Sequence, residues 1–313
     1  MINTKLLSAL LLGTAMVFGP LAAASPAFAI SNELQSYVGP EPTLFDTPKA
    51  AIAAFKEVMA KGDIGAIAAL LGLDAAKVAK SDGIANTVQQ VQEATSEGIF
   101  VEAEEDQRVL DLGKELWPFP FPVVKGEDGK WAFDTVAGLE EIVNRRIGEN
   151  ELHAIATMRL YVQAQEDYAS GDRDGDGVLE FAQKLISSEG LTDGLYWPPG
   201  QGDGESPVGP ALDAAALDKA RAGDGYFGYK FRILKRQGGN IAGGAHDYAV
   251  NGNMINGFAL IAWPSRYGET GVSTFVVNHA GVVYERDFGA KTGEIVPKIM
   301  SFNPGGKWDL VGN

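Results

Sequence analysis

The 313-residue sequence contains no cysteine. This absence excludes disulfide bonds, thiolate zinc sites, iron–sulfur clusters, cysteine nucleophiles and a lipidated anchor cysteine. Only three histidines occur, His153, His246 and His279, and neither a G-x-S-x-G elbow nor an H-E-x-x-H motif accompanies them. The sequence therefore offers no recognisable catalytic residues and leaves open whether the protein is an enzyme.

Basic residues are also scarce, with 26 lysines and arginines against 41 acidic residues and a formal charge of -15. Because a chain of this charge repels phosphate backbones and shows no local basic patch, nucleic acid is disfavoured as a partner. No apolar run after residue 29 approaches the ~20 residues that span a bilayer. We therefore expect no stable membrane insertion once the first segment is removed.

Residues 1–29 are typical of a secretory signal peptide. Lys5 is the only charge before Glu33, an apolar run follows it, and Ala27-Phe28-Ala29 is a small-x-small cleavage site. An uncleaved signal anchor is the alternative, and Pro20 and Pro26 favour cleavage. The sequence thus predicts a periplasmic or secreted protein.

The mature chain has a globular composition, 45% hydrophobic and 21% charged. Helical spacing and period-two alternation both occur, which predicts an α+β fold. We expect a leader at 30–46, an N-terminal α+β domain at 47–140, and a C-terminal domain at 141–313 in which a long helix packs on an antiparallel sheet.

Local signals place the N-terminal elements. Thr47-Pro48 and Asp63 are start signals for two helices, and a third is expected over 84–95. Strands are expected over 99–103 and 107–112. A hairpin with strands 120–125 and 130–134 should follow.

The C-terminal part is expected to contain more helix before its sheet. We predict a short helix over 138–147, a long one over about 149–169 and a further one over 179–188. Strong strands are expected from residue 226 onward, notably over 258–263 and 272–277, with a hairpin into 282–286.

Several distinctive segments accompany these elements: Trp117-Pro-Phe-Pro-Phe-Pro-Val-Val-Lys, Trp131-Ala-Phe-Asp-Thr, Asn144-Arg-Arg-Ile-Gly-Glu-Asn-Glu-Leu, Asp193-Gly-Leu-Tyr-Trp-Pro, Ser206-Pro-Val-Gly-Pro, Gly228-Tyr-Lys-Phe-Arg-Ile-Leu and Gly257-Phe-Ala-Leu-Ile-Ala-Trp-Pro. Together they resemble an exported bacterial family known as domain of unknown function 2950. The resemblance covers nearly the whole mature chain. It implies export but brings no catalytic residue and no substrate.

Two weaker resemblances concern parts of the chain. The C-terminal order of long helix, Asp/Gly-rich loop and antiparallel strands is similar to the globular part of type IV pilins and pseudopilins. The usual pilin assembly is not implied, because the corresponding helix is charged and lies in mid-chain. The N-terminal part, from Thr47-Pro48 to Phe133, is faintly similar to the cystatin-like fold of the nuclear-transport-factor-2 type.

One loop has the spacing of a calcium site. Asp172, Asp174 and Asp176 alternate before Gly177, as in the first half of an EF-hand loop, and Glu180 follows. The twelfth loop position is Gln183 instead of the bidentate glutamate, which should weaken affinity. Calcium is the cofactor hypothesis, and a solvated turn is the alternative.

Aromatic residues, most of them next to proline or glycine, are the remaining candidates for binding. They are Trp117, Phe119, Phe121, Trp131, Tyr196, Trp197, Tyr226, Tyr229, Trp263 and Tyr267. Core packing is the favoured interpretation, and a surface for glycan or peptide is the alternative. We expect an exported cell-envelope binding or structural protein, with an unknown envelope protein or glycan as partner. A periplasmic hydrolase or isomerase that uses carboxylates in an inter-domain cleft is the competing hypothesis.

Overall fold

A computed structural model describes residues 32–312 of the chain, apart from Asp82, Asp174 and Asp203. The expected signal peptide therefore lies outside the described residues. The chain divides into two compact units between Arg146 and Ile147. Both units combine helices with antiparallel sheet, so the α+β prediction is confirmed.

The N-terminal unit begins with short helices whose ends follow local sequence signals. They are α1 (Asn32–Gln35), α2 (Pro48–Lys61), α3 (Ile64–Leu70), α4 (Ala75–Val78) and α5 (Ile84–Glu97). The Thr47 hydroxyl accepts a hydrogen bond from the amide of Ala50 at the start of α2. The Asp63 carboxylate accepts bonds from Gly65 and Ala66 at the start of α3. The two predicted caps are confirmed.

The sheet of the N-terminal unit is antiparallel throughout. Its strands are β1 (Ile99–Ala103), β2 (Gln107–Leu112), β3 (Trp117–Pro118), β4 (Val123–Lys125) and β5 (Trp131–Phe133). Their order is β1-β2-β4-β5, with β3 paired to β2. The Phe55 ring of α2 lies 4.8 Å from Phe119 and 5.7 Å from Phe133, so an aromatic core joins helix and sheet. The predicted hairpin is confirmed with shorter strands.

A single helix, α6 (Thr135–Tyr168), replaces the two helices expected over 138–147 and 149–169. The prediction of a break was wrong because Gly148 continues the helix. An interior glycine costs only about 1 kcal/mol relative to alanine, and packing along the helix outweighs that cost.

The C-terminal unit contains most of the strands. They are β6 (Tyr229–Leu234), β7 (Arg236–Gln237), β8 (His246–Asp247), β9 (Ala249–Val250), β10 (Asn253–Met254), β11 (Ala259–Pro264), β12 (Ser273–Asn278), β13 (Tyr284–Asp287) and β14 (Asp309–Leu310). The main sheet has the order β14-β13-β12-β11-β6 and is antiparallel. The predicted strands and hairpin are confirmed within one or two residues.

The second half of α6 packs on one face of this main sheet. Ala154, Met158 and Tyr161 are buried in one core with sheet residues such as Leu260 and Phe275. The Tyr161 hydroxyl donates to the carbonyl of Ala259 over 3.3 Å. A helix on an antiparallel sheet is the arrangement that the sequence predicted for this part of the chain.

The segment after α6 differs from the prediction. Residues 179–188 are extended and not helical, because their backbone groups pair with other parts of the unit. Phe181 donates to the carbonyl of Met254, and Ala182 donates to the Gln165 side chain. A helix that the sequence reasoning missed, α7 (Ala214–Arg221), follows, and Asp213 caps its first turn. A one-turn helix, α8 (Thr292–Ile295), lies before β14.

Among the described residues, no helix combines the length and the apolar character that a membrane crossing requires.

Candidate functional site

The C-terminal unit contains an apolar cavity of about 460 Å³. Its walls come from α6, the extended segment after α6, α7, the loop before β6, and strands β6 and β11. The lining residues are Thr157, Leu160, Tyr161, Leu185, Ile186, Leu195, Tyr196, Val208, Leu212, Leu217, Ala220, Gly223, Gly225, Tyr226, Tyr229, Lys230, Phe231, Leu260 and Trp263. Its volume falls within the range of ligand pockets, roughly 300–1,000 Å³.

Helical spacing explains the contribution of α6 to this cavity. Thr157, Leu160 and Tyr161 lie three and four residues apart and share one side of the helix. The neighbouring side, with Ala154 and Met158, is buried against the sheet. Leu160 is half-buried, so α6 keeps part of an apolar surface open beside its packed face.

The loop between α7 and β6 closes one wall with aromatic rings. The Tyr226 hydroxyl accepts a hydrogen bond of 3.0 Å from the amide of Asp213, the residue that caps α7. Phe227 has a positive φ of 46°, which is uncommon for a residue with a side chain. Its ring stacks on His153 of α6, with centroids 4.0 Å apart. The strained residue is thus held by its contact with the helix.

The hydroxyl groups of the lining are largely engaged in bonds within the protein. Tyr229 donates to the carbonyl of Ser273 over 2.9 Å, and Thr157 donates to the carbonyl of His153 over 2.8 Å. Burial raises the pKa values of Tyr161 and Tyr229 above the ordinary tyrosine range, so both phenols are neutral. The cavity therefore offers few free hydrogen-bonding groups.

Of the described residues that line the cavity, Lys230 alone has a charged side chain, and the strand pleat directs that side chain away from α6. Tyr229 bonds to Glu151 of α6, so Tyr229 and Phe231 point towards the helix. Side chains alternate along a strand, which places exposed Lys230 on the opposite face. The Arg232 guanidinium, also on that face, lies over the Trp263 ring. Because Trp263 pairs directly with Lys230, the pleat places both side chains on the face of the sheet opposite α6.

The candidate calcium loop is described except for Asp174. The Asp172 carboxylate accepts bonds from the amides of Gly175 and Gly177, at 2.8 and 2.9 Å. Asp176 accepts from the amide of Val178 and from the Asn253 side chain. These carboxylates therefore stabilise the turn directly.

Glu180 takes part in a different contact. It is buried and accepts a 2.6 Å bond from the amide of Met254 in β10. The helix expected after the loop is absent, so the EF-hand flanks are incomplete. The described residues hold no group of three or more His, Asp or Glu arranged to bind a metal ion. With Asp174 outside the described residues, calcium at Asp172, Asp174, Asp176 and Glu180 stays a prediction.

Comparison with known proteins places the whole chain in a family. The family model for proteins of unknown function, DUF2950, matches residues 42–311. The chain belongs to the DUF2950 family. No curated protein and no solved structure matches it.

Two carboxyl groups of this DUF2950 protein have raised pKa values. Burial and the charge of Glu102 raise the pKa of Asp111 in the N-terminal unit. Burial, together with the charges of Glu151 and Asp309, raises the pKa of Glu285 in the C-terminal unit. Neither residue lines the cavity. The described lining of this pocket therefore contains no carboxyl group with a raised pKa.

Eight of the ten aromatic candidates from the sequence divide into two groups, and the half-buried Trp117 and Tyr267 belong to neither. Phe119, Phe121, Trp131 and Trp197 are buried in the cores, as the packing interpretation predicted. A second group contributes to the cavity: Tyr196, Tyr226, Tyr229 and Trp263. Sequence reasoning missed the aliphatic lining from Leu185 to Leu217. The Asp213 cap before an alanine-rich run was the one available signal for α7.

Proposed function

We propose that this DUF2950 protein is an exported cell-envelope binding protein whose C-terminal unit holds an apolar small molecule. The observation that carries the proposal is the cavity of about 460 Å³ with an almost wholly apolar lining. Apolar cavities of this size, with few polar groups, are typical of ligand sites. Removing an apolar ligand from water supplies roughly 25 cal/mol for each Å² that it buries.

Binding of a neutral apolar dye tests the proposal directly. We expect the mature chain to bind N-phenyl-1-naphthylamine saturably, with a rise in dye fluorescence. Leu160→Trp places a larger side chain on the cavity wall and should weaken binding about 10-fold or more. Leu152→Trp is the matched control, because Leu152 is exposed on the same helix and does not line the cavity.

The comparison of the two variants decides the outcome. The proposal would be contradicted if both tryptophan variants weakened dye binding equally. It would also be contradicted if the parent chain did not bind the dye saturably. Thermal melts of the variants should accompany the titrations, so that loss of folding is separated from loss of binding.

Export is the second part of the proposal, and the charge pattern and cleavage site of residues 1–29 support it. In a Gram-negative host, we expect the full chain to be recovered in the periplasmic or secreted fraction with Ile30 as its first residue. Intact-protein mass spectrometry measures this directly. Recovery of the uncleaved chain with the cytoplasmic fraction would overturn this part.

The resemblances of the two units to the pilin-like and cystatin-like folds are also proposals. The packing of α6 on the main sheet supports the pilin-like resemblance, and the helices beside the N-terminal sheet support the cystatin-like one. An experimental structure compared with both folds would test them. No observation on the described residues favours the hydrolase or isomerase hypothesis over binding.

A further inference from the structure

If the proposed binding function holds, the charges around the cavity also limit the chemical class of ligand that it can bind. Among the described residues, none of those that line the cavity is acidic, and the single basic one, Lys230, directs its side chain to the opposite face of the sheet. An ionised group buried without a partner is strongly unfavourable. The cavity walls therefore contain no side chain that compensates a charged headgroup.

The hydrogen-bonding groups of the lining limit how many polar groups the ligand can have. The hydroxyls of Thr157, Tyr161 and Tyr229 each donate to a backbone carbonyl of the protein. The Tyr226 oxygen already accepts from an amide, so among the described lining residues the half-buried Tyr196 has the one remaining tyrosine hydroxyl. Each hydroxyl of a buried sugar needs a partner, and the lining has too few free groups to supply them.

We infer that the cavity selects an uncharged, predominantly hydrocarbon molecule, with at most one or two neutral polar groups. This class includes long-chain alcohols, esters and isoprenoids. It excludes fatty-acid carboxylates, alkyl ammonium ions and oligosaccharides as occupants of this cavity. The apolar walls supply the affinity, and the missing counter-charges supply the selectivity.

A series of ligands that share one chain length isolates the effect of charge. Dodecanol, dodecanoate and dodecylammonium are each titrated as competitors of N-phenyl-1-naphthylamine on the mature chain at pH 7.5. Dodecanol is kept below its aqueous solubility, and the two ions are kept below their micelle-forming concentrations. We expect dodecanol to displace the dye at a concentration on the order of 10-fold lower than either ion. Lys230→Gln should leave the displacing concentrations of all three ligands unchanged.

The possible results separate this inference from the proposed function. Displacement by either ion at the same or a lower concentration than dodecanol would overturn the inference and leave an apolar pocket in place. A preference for dodecanoate that Lys230→Gln removes would show that Lys230 binds the headgroup, which also overturns it. Failure of the dye itself to bind would remove the proposed function, and the inference with it.

Discussion

Gly138 and Gly148 lie on the same helix, α6, and a methyl group would meet different surroundings at each. A Cβ atom on Gly138 would overlap the ring of Phe121, whereas one on Gly148 would meet no atom within 4 Å. Alanine stabilises a helix interior by about 1 kcal/mol relative to glycine. The two positions therefore separate helix propensity from packing.

We predict opposite effects for the two alanine variants. Gly148→Ala should raise the free energy of unfolding by about 0.5–1 kcal/mol. Gly138→Ala should lower it by about 1–2 kcal/mol, because overpacking costs more than the propensity gain. Urea titrations of both variants measure the difference. A stabilising Gly138→Ala would show that Phe121 moves aside without cost.

Gln165 fixes the extended segment after α6. Its fully buried amide donates to the carbonyl of Ala182 over 2.9 Å and accepts from the Ala182 amide over 2.7 Å. This pair of bonds resembles the pairing of two strand residues, and it explains why the segment is not helical. The same amide also donates to the Tyr161 hydroxyl.

Replacement of Gln165 should therefore be costly. Gln165→Leu leaves the buried amide and carbonyl of Ala182 without partners, and we expect a loss of about 2–4 kcal/mol. Gln163→Leu, an exposed position on the same helix, is the control. Chemical denaturation gives the free energies, and hydrogen exchange at Ala182 reports the local effect. Unchanged protection of that amide would argue against this role.

Strands β13 and β14 place two acidic residues opposite each other. Glu285 pairs with Asp309 in the antiparallel register, and burial together with neighbouring carboxylates raises the pKa of Glu285. Because its folded-state pKa exceeds the unfolded value, the folded chain binds the proton more tightly. The free energy of unfolding therefore falls as pH rises from about 4.3 through the raised pKa.

Removing this charge should stabilise the protein at neutral pH. We expect Glu285→Gln to add roughly 0.2–1 kcal/mol at pH 7, the range for like charges on facing strands. The gain should disappear near pH 3.5, where the Glu285 carboxyl, with its raised pKa, is already neutral. Exposed Glu294→Gln serves as the control in the same pH series of thermal melts. A gain that persists at low pH would point to packing and not to charge.

Local signals and distant contacts explain which elements the sequence could predict. Thr47 and Asp63 cap helices through atoms two or three residues away, so a short window contains the whole interaction. The strands of the β12–β13 hairpin likewise meet across a short turn. Gln165 and Ala182 are 17 residues apart, and Glu180 and Met254 are 74 apart. The periodicity of hydrophobic residues does not indicate contacts between residues so far apart in the sequence.

The cavity likewise forms only through contacts between residues that are far apart in the sequence. Its walls come from residues between Thr157 and Trp263, and each wall taken alone has the sequence pattern of an ordinary helix, strand or loop. Four aromatic members of the lining were binding candidates because proline or glycine lies near them in the sequence: Tyr196, Tyr226, Tyr229 and Trp263. The other two, Tyr161 and Phe231, were not. The sequence around the aliphatic members does not indicate a pocket, because they form a lining only when the extended segment and α7 contact α6.

Across the whole molecule the dominant electrostatic feature is the excess of acidic residues, with a charge of -15. The loop that contains Asp172, Asp174 and Asp176 concentrates part of it. Asp172 and Asp176 accept bonds from the amides of their own turn, which offsets some of their mutual repulsion. A bound cation would neutralise more of that charge and would link folding to calcium concentration.

Global stability is therefore the measurement that tests the calcium prediction. A ligand that binds only the folded state adds about 2.7 kcal/mol when its free concentration is 100-fold above Kd. We expect a higher melting temperature in millimolar calcium than in chelator, and we expect Asp174→Ala to abolish the increase. Glu205→Ala, in the other acidic glycine-rich stretch, should retain it. The same increase in Asp174→Ala, or none in the parent chain, would mean that amide hydrogen bonds alone hold the turn.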